Sequence, residues 1–179
     1  MRELKRALDI DSLSLIINTK LGVTYYYGRE YGPAIDQLRK TIEMDSRFPP
    51  AHLYLGLCYE QQGKYQDAVA EFQRGLELGE NPWFRASMVL TYGRAGKRPE
   101  AEGELKYLLK EAKTRYVSPY FLATAYAGMG DKDETFQWLE VAYSDRADWL
   151  TYLKVDPALD GLRSDPGFQD LLRRMNFPK

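Results

Sequence analysis

The sequence contains little of what most catalytic and metal-binding sites are built from. It has one histidine and one cysteine, so the familiar His/Cys metal clusters and Cys–His nucleophile pairs cannot be assembled within it. The single cysteine, Cys58, also excludes an internal disulfide framework and suits a reducing compartment. No glycine-rich loop has the spacing of a phosphate-binding loop. We therefore expect no catalytic site, no metal site and no cofactor.

Long apolar runs and an excess of one charge are missing too. No apolar stretch approaches the roughly 18 residues needed to cross a bilayer, and residues 1–11 carry charges every few positions, unlike a signal peptide. The formal net charge of −1 gives no overall attraction to nucleic acid or to an anionic membrane. Basic residues between Arg94 and Arg115 are interleaved with acidic ones. We expect a cytoplasmic protein without nucleic-acid or membrane partners.

Tyrosine, by contrast, is abundant, with 14 residues, and some of these recur with a fixed period. Two further series share the spacing of 34, 33 and 34 residues. Because all three series shorten at the same step, the period belongs to a repeated structural unit, and a helical unit of this length is typical of a solenoid. The series are Tyr25, Tyr59, Tyr92 and Tyr126; Ala34, Ala68, Ala101 and Thr135; and Leu38, Phe72, Leu105 and Leu139.

The clearest repeat, residues 49–81, predicts two helices and a tight turn. Apolar residues follow helical spacing on both sides of Gly63, which can adopt the left-handed conformation that ends a helix. Gly56 and Ala68 are small residues at which we expect the two helices to touch. We expect Tyr59 and Phe72 to fill the space beside that contact.

This pattern resembles the tetratricopeptide repeat family. The residues in register are Leu55, Gly56, Tyr59, Gly63, Tyr65, Ala68 and Phe72. The resemblance implies an all-α, right-handed superhelical solenoid of antiparallel helix pairs whose function is to hold a protein partner. The predicted segments are the second helix of a truncated upstream repeat at 1–14, four repeats at 15–48, 49–81, 82–115 and 116–148, and C-terminal capping helices at 149–179.

Both ends of the chain depart from the period. Residues 2–11 are in phase with a second helix, so we expect the chain to begin inside a repeat of a longer protein; the alternative is a native start with a short capping helix. After residue 148 two Asp-Pro steps, Asp156-Pro157 and Asp165-Pro166, predict short helices that cover the last repeat. The sequence of this tail resembles the C-terminal ends of bacterial multidomain signalling proteins that contain such repeats.

The first helix of each repeat should line a concave groove. Residues turned away from the partner helix and from the next repeat are apolar or aromatic, a composition that favours an amphipathic helix or an extended peptide as the ligand. The alternatives are that the aromatic residues pack internally or that the C-terminal tail folds over them. The expected groove residues are Thr19, Val23, Tyr26, Tyr27, Leu53, Leu57, Glu60, Trp83, Ala86, Leu90, Arg94, Tyr120, Thr124 and Ala127.

Three functional classes can be compared on these residues. The resemblance implies an interaction scaffold, as a regulatory segment of a larger bacterial signalling protein. Some family members clamp the acidic tails of chaperones with Lys and Asn, but the matching positions here include Thr19, Val23 and Leu53, so that clamp is missing. Self-association through an exposed face of the truncated first repeat is the alternative. An enzyme is a remote alternative, because no catalytic constellation is present.

Overall fold

The structure is a computed structural model that describes residues 2–177, and every regular element in that range is a helix. The predicted all-α fold is confirmed for these residues. Two 3-10 helices, Asp148–Tyr152 and Pro157–Leu162, lie between the last two α-helices. The α-helices, numbered α1 to α10, are Arg2–Ile10, Leu15–Tyr27, Tyr31–Met44, Pro49–Gln61, Tyr65–Leu78, Pro82–Arg94, Arg98–Glu111, Pro119–Met129, Lys132–Ser144 and Pro166–Met175.

The chain forms two compact units that divide between Phe84 and Arg85. The first unit contains α1 to α5 and the first turn of α6, and the second contains the rest of α6, the later α-helices and both 3-10 helices. Within the units, α2 packs on α3, α4 on α5, and α8 on α9. Each predicted repeat segment holds two consecutive helices, although the segment boundaries remain predictions.

The turns inside the repeats share one backbone conformation, which recurs with the period of the sequence. Gly63, Gly96 and Gly130 have φ values of 73°, 71° and 77°, in the left-handed region that a glycine enters without strain. The predicted role of Gly63 is thus confirmed. In the first repeat the same position holds Arg29, whose φ is 61°. The turn geometry is therefore kept even where the residue is unfavourable for it.

The contact between the two helices of a repeat includes a glycine of the first helix and a large side chain of the second. A Cβ atom added at Gly56 would lie 2.4 Å from Cε1 of Phe72, and one at Gly22 would lie 2.7 Å from Cγ of Leu38. The glycine thus makes room for a large side chain of the second helix, and the contact of Gly56 with Ala68 stays a prediction. Phe72 and Leu38 are fully buried, so the glycine on one helix and the large residue on the other form one packing unit.

The C-terminal residues form the short helices that the Asp-Pro steps predict. Asp156 and Asp165 are N-caps, and their side chains accept hydrogen bonds from the backbone N–H groups of Ala158 and Gly167 at 2.9 Å. Proline occupies the first position of each following helix, where its missing N–H costs little. Helix α10 packs on α9 with Phe168 buried.

Candidate partner-binding surface

The first unit contains a group of aromatic rings from α2, α4 and the start of α6. Tyr54 lies at its centre, with ring centroids 5.9 Å from Tyr26, 6.4 Å from Tyr27 and 5.6 Å from Trp83. These three pairs are arranged edge to face, and Tyr26 also lies 5.1 Å from Tyr27. Such pairs add about 0.5–1.5 kcal/mol each beyond the burial of area. We call Tyr26, Tyr27, Tyr54 and Trp83 the aromatic cluster.

Exposure divides the predicted groove residues of the first unit into two sets. Val23, Tyr27 and Trp83 are half-buried and can contact a partner directly. The others are buried, because α4 is buried at every position from Ala51 to Glu60 and packs on α2, α3 and α5. Their side chains support the surface and do not form it. These buried residues are Thr19, Tyr26, Leu53, Leu57 and Glu60.

A stripe along α2 joins the accessible residues to further exposed side chains. Ile16, Lys20, Val23 and Tyr27 follow one another at intervals of four, three and four residues, which places them on one face of the helix. Ile16 is 59% exposed, and Lys20 is exposed as well. The resulting surface is apolar and aromatic with one cation. We call Ile16, Lys20, Val23, Tyr27 and Trp83 the α2 surface.

In the second unit two of the predicted groove residues, Arg94 and Tyr120, contact the chain's own tail. Arg94 Nη2 donates a hydrogen bond to the carbonyl oxygen of Ala158 at 2.7 Å, and the Tyr120 hydroxyl donates to Asp156 Oδ2 at 2.7 Å. Of the alternatives left open by the sequence, the second unit thus shows the tail folded over these side chains. The predicted residues Ala86, Leu90, Tyr120 and Thr124 are buried, and Arg94 and Ala127 are half-buried.

The carboxyl group of Asp156 lies inside this tail contact. It is buried, and burial raises its pKa, an effect opposed by the hydrogen bonds from Tyr120 and the Ala158 N–H and by the charges of Arg94 and Arg163. Arg163 Nη2 also donates to the backbone oxygen of Asp156 at 3.0 Å. The acidic side chain of Asp156 is therefore hydrogen-bonded both by α8, through Tyr120, and by the backbone of the tail itself.

The single cysteine and the single histidine, residue types that are common in catalytic sites, have structural roles here. Cys58 is fully buried, and burial raises the pKa of its thiol to about 12, so the thiolate is not formed near neutral pH. His52 is 3% exposed and hydrogen-bonded to Glu71. Across the part of the chain that the structure describes, no group of three His, Cys, Asp or Glu side chains could hold a metal ion.

The helices of the described residues were also compared with the requirements of a membrane span. None between residues 2 and 177 combines the length and the apolar character needed to cross a bilayer.

The sequence did not identify Tyr54 and Asp156 as parts of these surfaces. Tyr54 occupies the position that Lys20 holds one period earlier, so the period does not mark it as aromatic. Asp156 was recognised as a helix start, a role that it has. Its contact with Tyr120 spans 36 residues, and no local pattern indicates it.

Comparisons with known proteins agree with this architecture. Residues 19–81 match the family model described as tetratricopeptide repeat. Anaphase-promoting complex subunit 3 of Dictyostelium discoideum is 29% identical over 75 residues, which are 42% of this chain and 8% of that protein. The chain therefore matches only a small part of this relative's length.

Two solved structures are similar in fold. MamA has a TM-score of 0.57 with 22% identity, over 84% of this chain and 89% of MamA. YrrB, described as a TPR protein with an unusual peptide-binding site, has a TM-score of 0.56 with 16% identity, over 96% of this chain and 89% of YrrB. At these identities the similarity concerns the fold alone.

Proposed function

Because residues 19–81 match the tetratricopeptide repeat family model, we propose that the chain is a protein-interaction scaffold whose α2 surface binds a segment of a partner protein. The observation that carries the proposal is the aromatic cluster, which holds the half-buried rings of Tyr27 and Trp83 in fixed edge-to-face contacts with Tyr54. Rings held in this way lose little conformational entropy when a ligand binds. Tyr and Trp in such positions are typical of interface hot spots.

The surface chemistry favours one class of ligand. Ile16, Val23, Tyr27 and Trp83 provide apolar contacts, so the ligand is an amphipathic helix or an extended peptide with apolar anchors. Lys20 is the cation of this surface and favours an acidic residue beside the anchors. YrrB, a solved structure of similar fold, is described as having a peptide-binding site, which supports a peptide as the ligand. No reaction is part of the proposal.

The wider setting of this function is also a proposal. The scaffold acts in the cytoplasm as a regulatory segment of a larger bacterial signalling protein. The support for this setting is the similarity of the tail, residues 149–179, to the ends of such proteins, together with a single cysteine, which suits a reducing compartment.

The proposal is tested with a phage-displayed library of random 16-residue peptides selected on the complete chain. We expect the selected peptides to contain apolar residues at helical intervals and at least one acidic residue. Tyr27→Ala or Trp83→Ala should lower the affinity of the chain for each peptide about 30-fold, because a hot-spot side chain contributes about 2 kcal/mol to binding. Fluorescence anisotropy measures the affinity.

Tyr116→Ala is the matched control for these variants. Tyr116 is 73% exposed and lies in the second unit, outside the α2 surface. It should leave peptide affinity unchanged, and circular dichroism should show equal helicity for all three variants. Peptides that bind the Tyr27→Ala and Trp83→Ala chains as tightly as the unaltered chain would contradict the proposed surface.

A second candidate function, self-association, is favoured by the exposed apolar residues before α2. Ile10 and Leu13 are 88% and 74% exposed, and apolar side chains grouped in this way are typical of contact surfaces. We expect the mass from light scattering to rise with concentration for the unaltered chain and to stay at that of the monomer for Leu13→Lys. Val141→Lys, at an exposed apolar residue of α9, is the control. A constant monomer mass for the unaltered chain at high concentration would remove this candidate.

A further inference from the structure

The tail of the second unit is held in the manner of a bound peptide. The tail segment, defined as residues 156–162, contains Asp156 and the second 3-10 helix. Its acidic side chain accepts from the Tyr120 hydroxyl, and its backbone carbonyl at Ala158 accepts from Arg94. Both donors belong to first helices of their repeats, on which the sequence predicts ligand contacts. The segment thus presents one anchored carboxylate and one recognised main-chain group.

Apolar side chains complete this contact. The proline and the three apolar residues that follow the acidic anchor are all buried, and Leu159 is 1% exposed. An anchored charge followed by buried apolar residues is the pattern by which short peptides bind grooves. These buried residues are Pro157, Ala158, Leu159 and Leu162.

The tail segment lies beside a pocket that is partly open to solvent. A cavity of about 280 Å³ lies where Ala158, Gly161 and Leu162 face α8 and the start of α9. In addition, 3-10 hydrogen bonds have poorer geometry than those of an α-helix. The segment is held by its buried apolar side chains and by the side chains of Arg94 and Tyr120. None of the backbone hydrogen bonds of residues 156–162 is made to α8 or α9, so its release leaves those two helices intact.

We infer that the face formed by Arg94 and Tyr120 is a binding site for an Asp-Pro turn, which the tail segment occupies in cis. The ligand that this site accepts from a partner is a peptide with Asp-Pro followed by a small and then an apolar residue. Such a peptide must displace the tail segment, so the tail lowers its apparent affinity. This site is separate from the α2 surface and goes beyond the function proposed above.

The probe for this site is a fluorescent peptide with the sequence of residues 154–164, KVDPALDGLRS. We expect weak binding to the unaltered chain, because the tail is present at a high effective concentration. Asp156→Ala in the chain removes the cis anchor. It should tighten peptide binding by about 10- to 100-fold, if the tail occupies the site about 90–99% of the time.

Two controls identify the contact. The same peptide with alanine in place of the aspartate that copies Asp156 should not bind the Asp156→Ala chain. Adding Tyr120→Phe to that chain removes the hydroxyl donor while keeping the ring, and should abolish the gain in affinity. A folded Asp156→Ala chain, with unchanged helicity, that fails to bind the unaltered peptide would overturn the inference.

Hydrogen exchange on the unaltered chain tests the inference without relying on a variant. We expect the amides of residues 158–163 to exchange through a local opening while those of α8 and α9 stay protected. Exchange of the tail segment only together with α8 and α9 would identify it as a permanent cap and overturn the inference. Neither result depends on Tyr27 or Trp83, so failure here is distinguishable from failure of the proposed α2 surface.

Discussion

Gly93→Ala is expected to destabilise the second unit by about 2–3 kcal/mol, a large effect for one added methyl group. A Cβ atom at Gly93 would lie 2.4 Å from the carbonyl oxygen and 2.6 Å from the carbonyl carbon of Gly128, and 2.9 Å from the amide nitrogen of Met129. All three atoms are backbone, so no rotamer change can relieve the contact. Helices α6 and α8 would have to move apart. Thermal unfolding should show a Tm lower by about 5–10 °C.

Two other helical glycines provide matched controls for this prediction. At Gly56 the nearest atoms belong to the side chain of Phe72. This buried ring can shift by rotation about its side-chain bonds, which backbone atoms cannot do, so Gly56→Ala should lower the stability less than Gly93→Ala. At Gly103, in α7, nothing lies within 4 Å of the added Cβ atom. Gly103→Ala should therefore stabilise the chain by about 0.5–1 kcal/mol through helix propensity. Equal losses for Gly93→Ala and Gly56→Ala would contradict the close approach of α6 and α8.

The period predicts those features that every repeat must build in the same way. The turn after a first helix requires a left-handed residue, and the sequence marks it with Gly63, Gly96 and Gly130. The large apolar residue of the second helix is buried in each repeat, as shown by Leu38 and Phe72. These requirements are local and periodic, so the sequence contains the turn glycine three times and the large apolar residue four times.

The binding surface is harder to predict, because its exposure depends on packing. Helical spacing places Tyr26 and Tyr27 side by side on α2, yet Tyr26 is 1% exposed and Tyr27 is half-buried. The sequence contains the same residue type whether an aromatic side chain is buried beneath a surface or exposed on it. A test that replaces Tyr26 would therefore measure stability, whereas Tyr27 reports on binding.

Long-range polar contacts leave even less trace in the sequence. Nothing in the sequence distinguishes Glu71 from the other acidic residues, but the structure buries it to 7% exposure. Its partner His52 lies 19 residues earlier on α4, and Arg74 approaches Glu71 from the next turn of α5. Burial of a carboxylate requires such partners, and no periodic pattern marks them.

His52→Ala is the second substitution with a large expected effect. Nδ1–H of His52 donates to Glu71 Oε2 at 2.6 Å, and Nε2–H donates to the backbone oxygen of Ser46 at 2.9 Å. Removing the ring leaves Glu71 with Arg74, whose side chain is largely exposed. Breaking a buried pair in this way should cost about 3 kcal/mol, measured by urea unfolding at pH 6. Glu77→Ala, at an exposed acid on the same helix as Glu71, should change stability by less than about 0.5 kcal/mol.

The cost of His52→Ala should fall as the pH rises. Both partners of the ring accept hydrogen bonds, so the site requires the doubly protonated imidazolium, and the hydrogen bond with Glu71 raises the pKa of His52 despite its burial. The stabilisation is complete below the usual pKa of 6.5 and is lost as the pH rises through the higher folded-state pKa. Each pH unit between these two values removes about 1.4 kcal/mol. Because His52 is the single histidine of the sequence, unfolding of both chains at pH 6 and pH 9 isolates its titration. A difference between the chains that stayed constant or grew toward pH 9 would mean that the ring is buried in its neutral form.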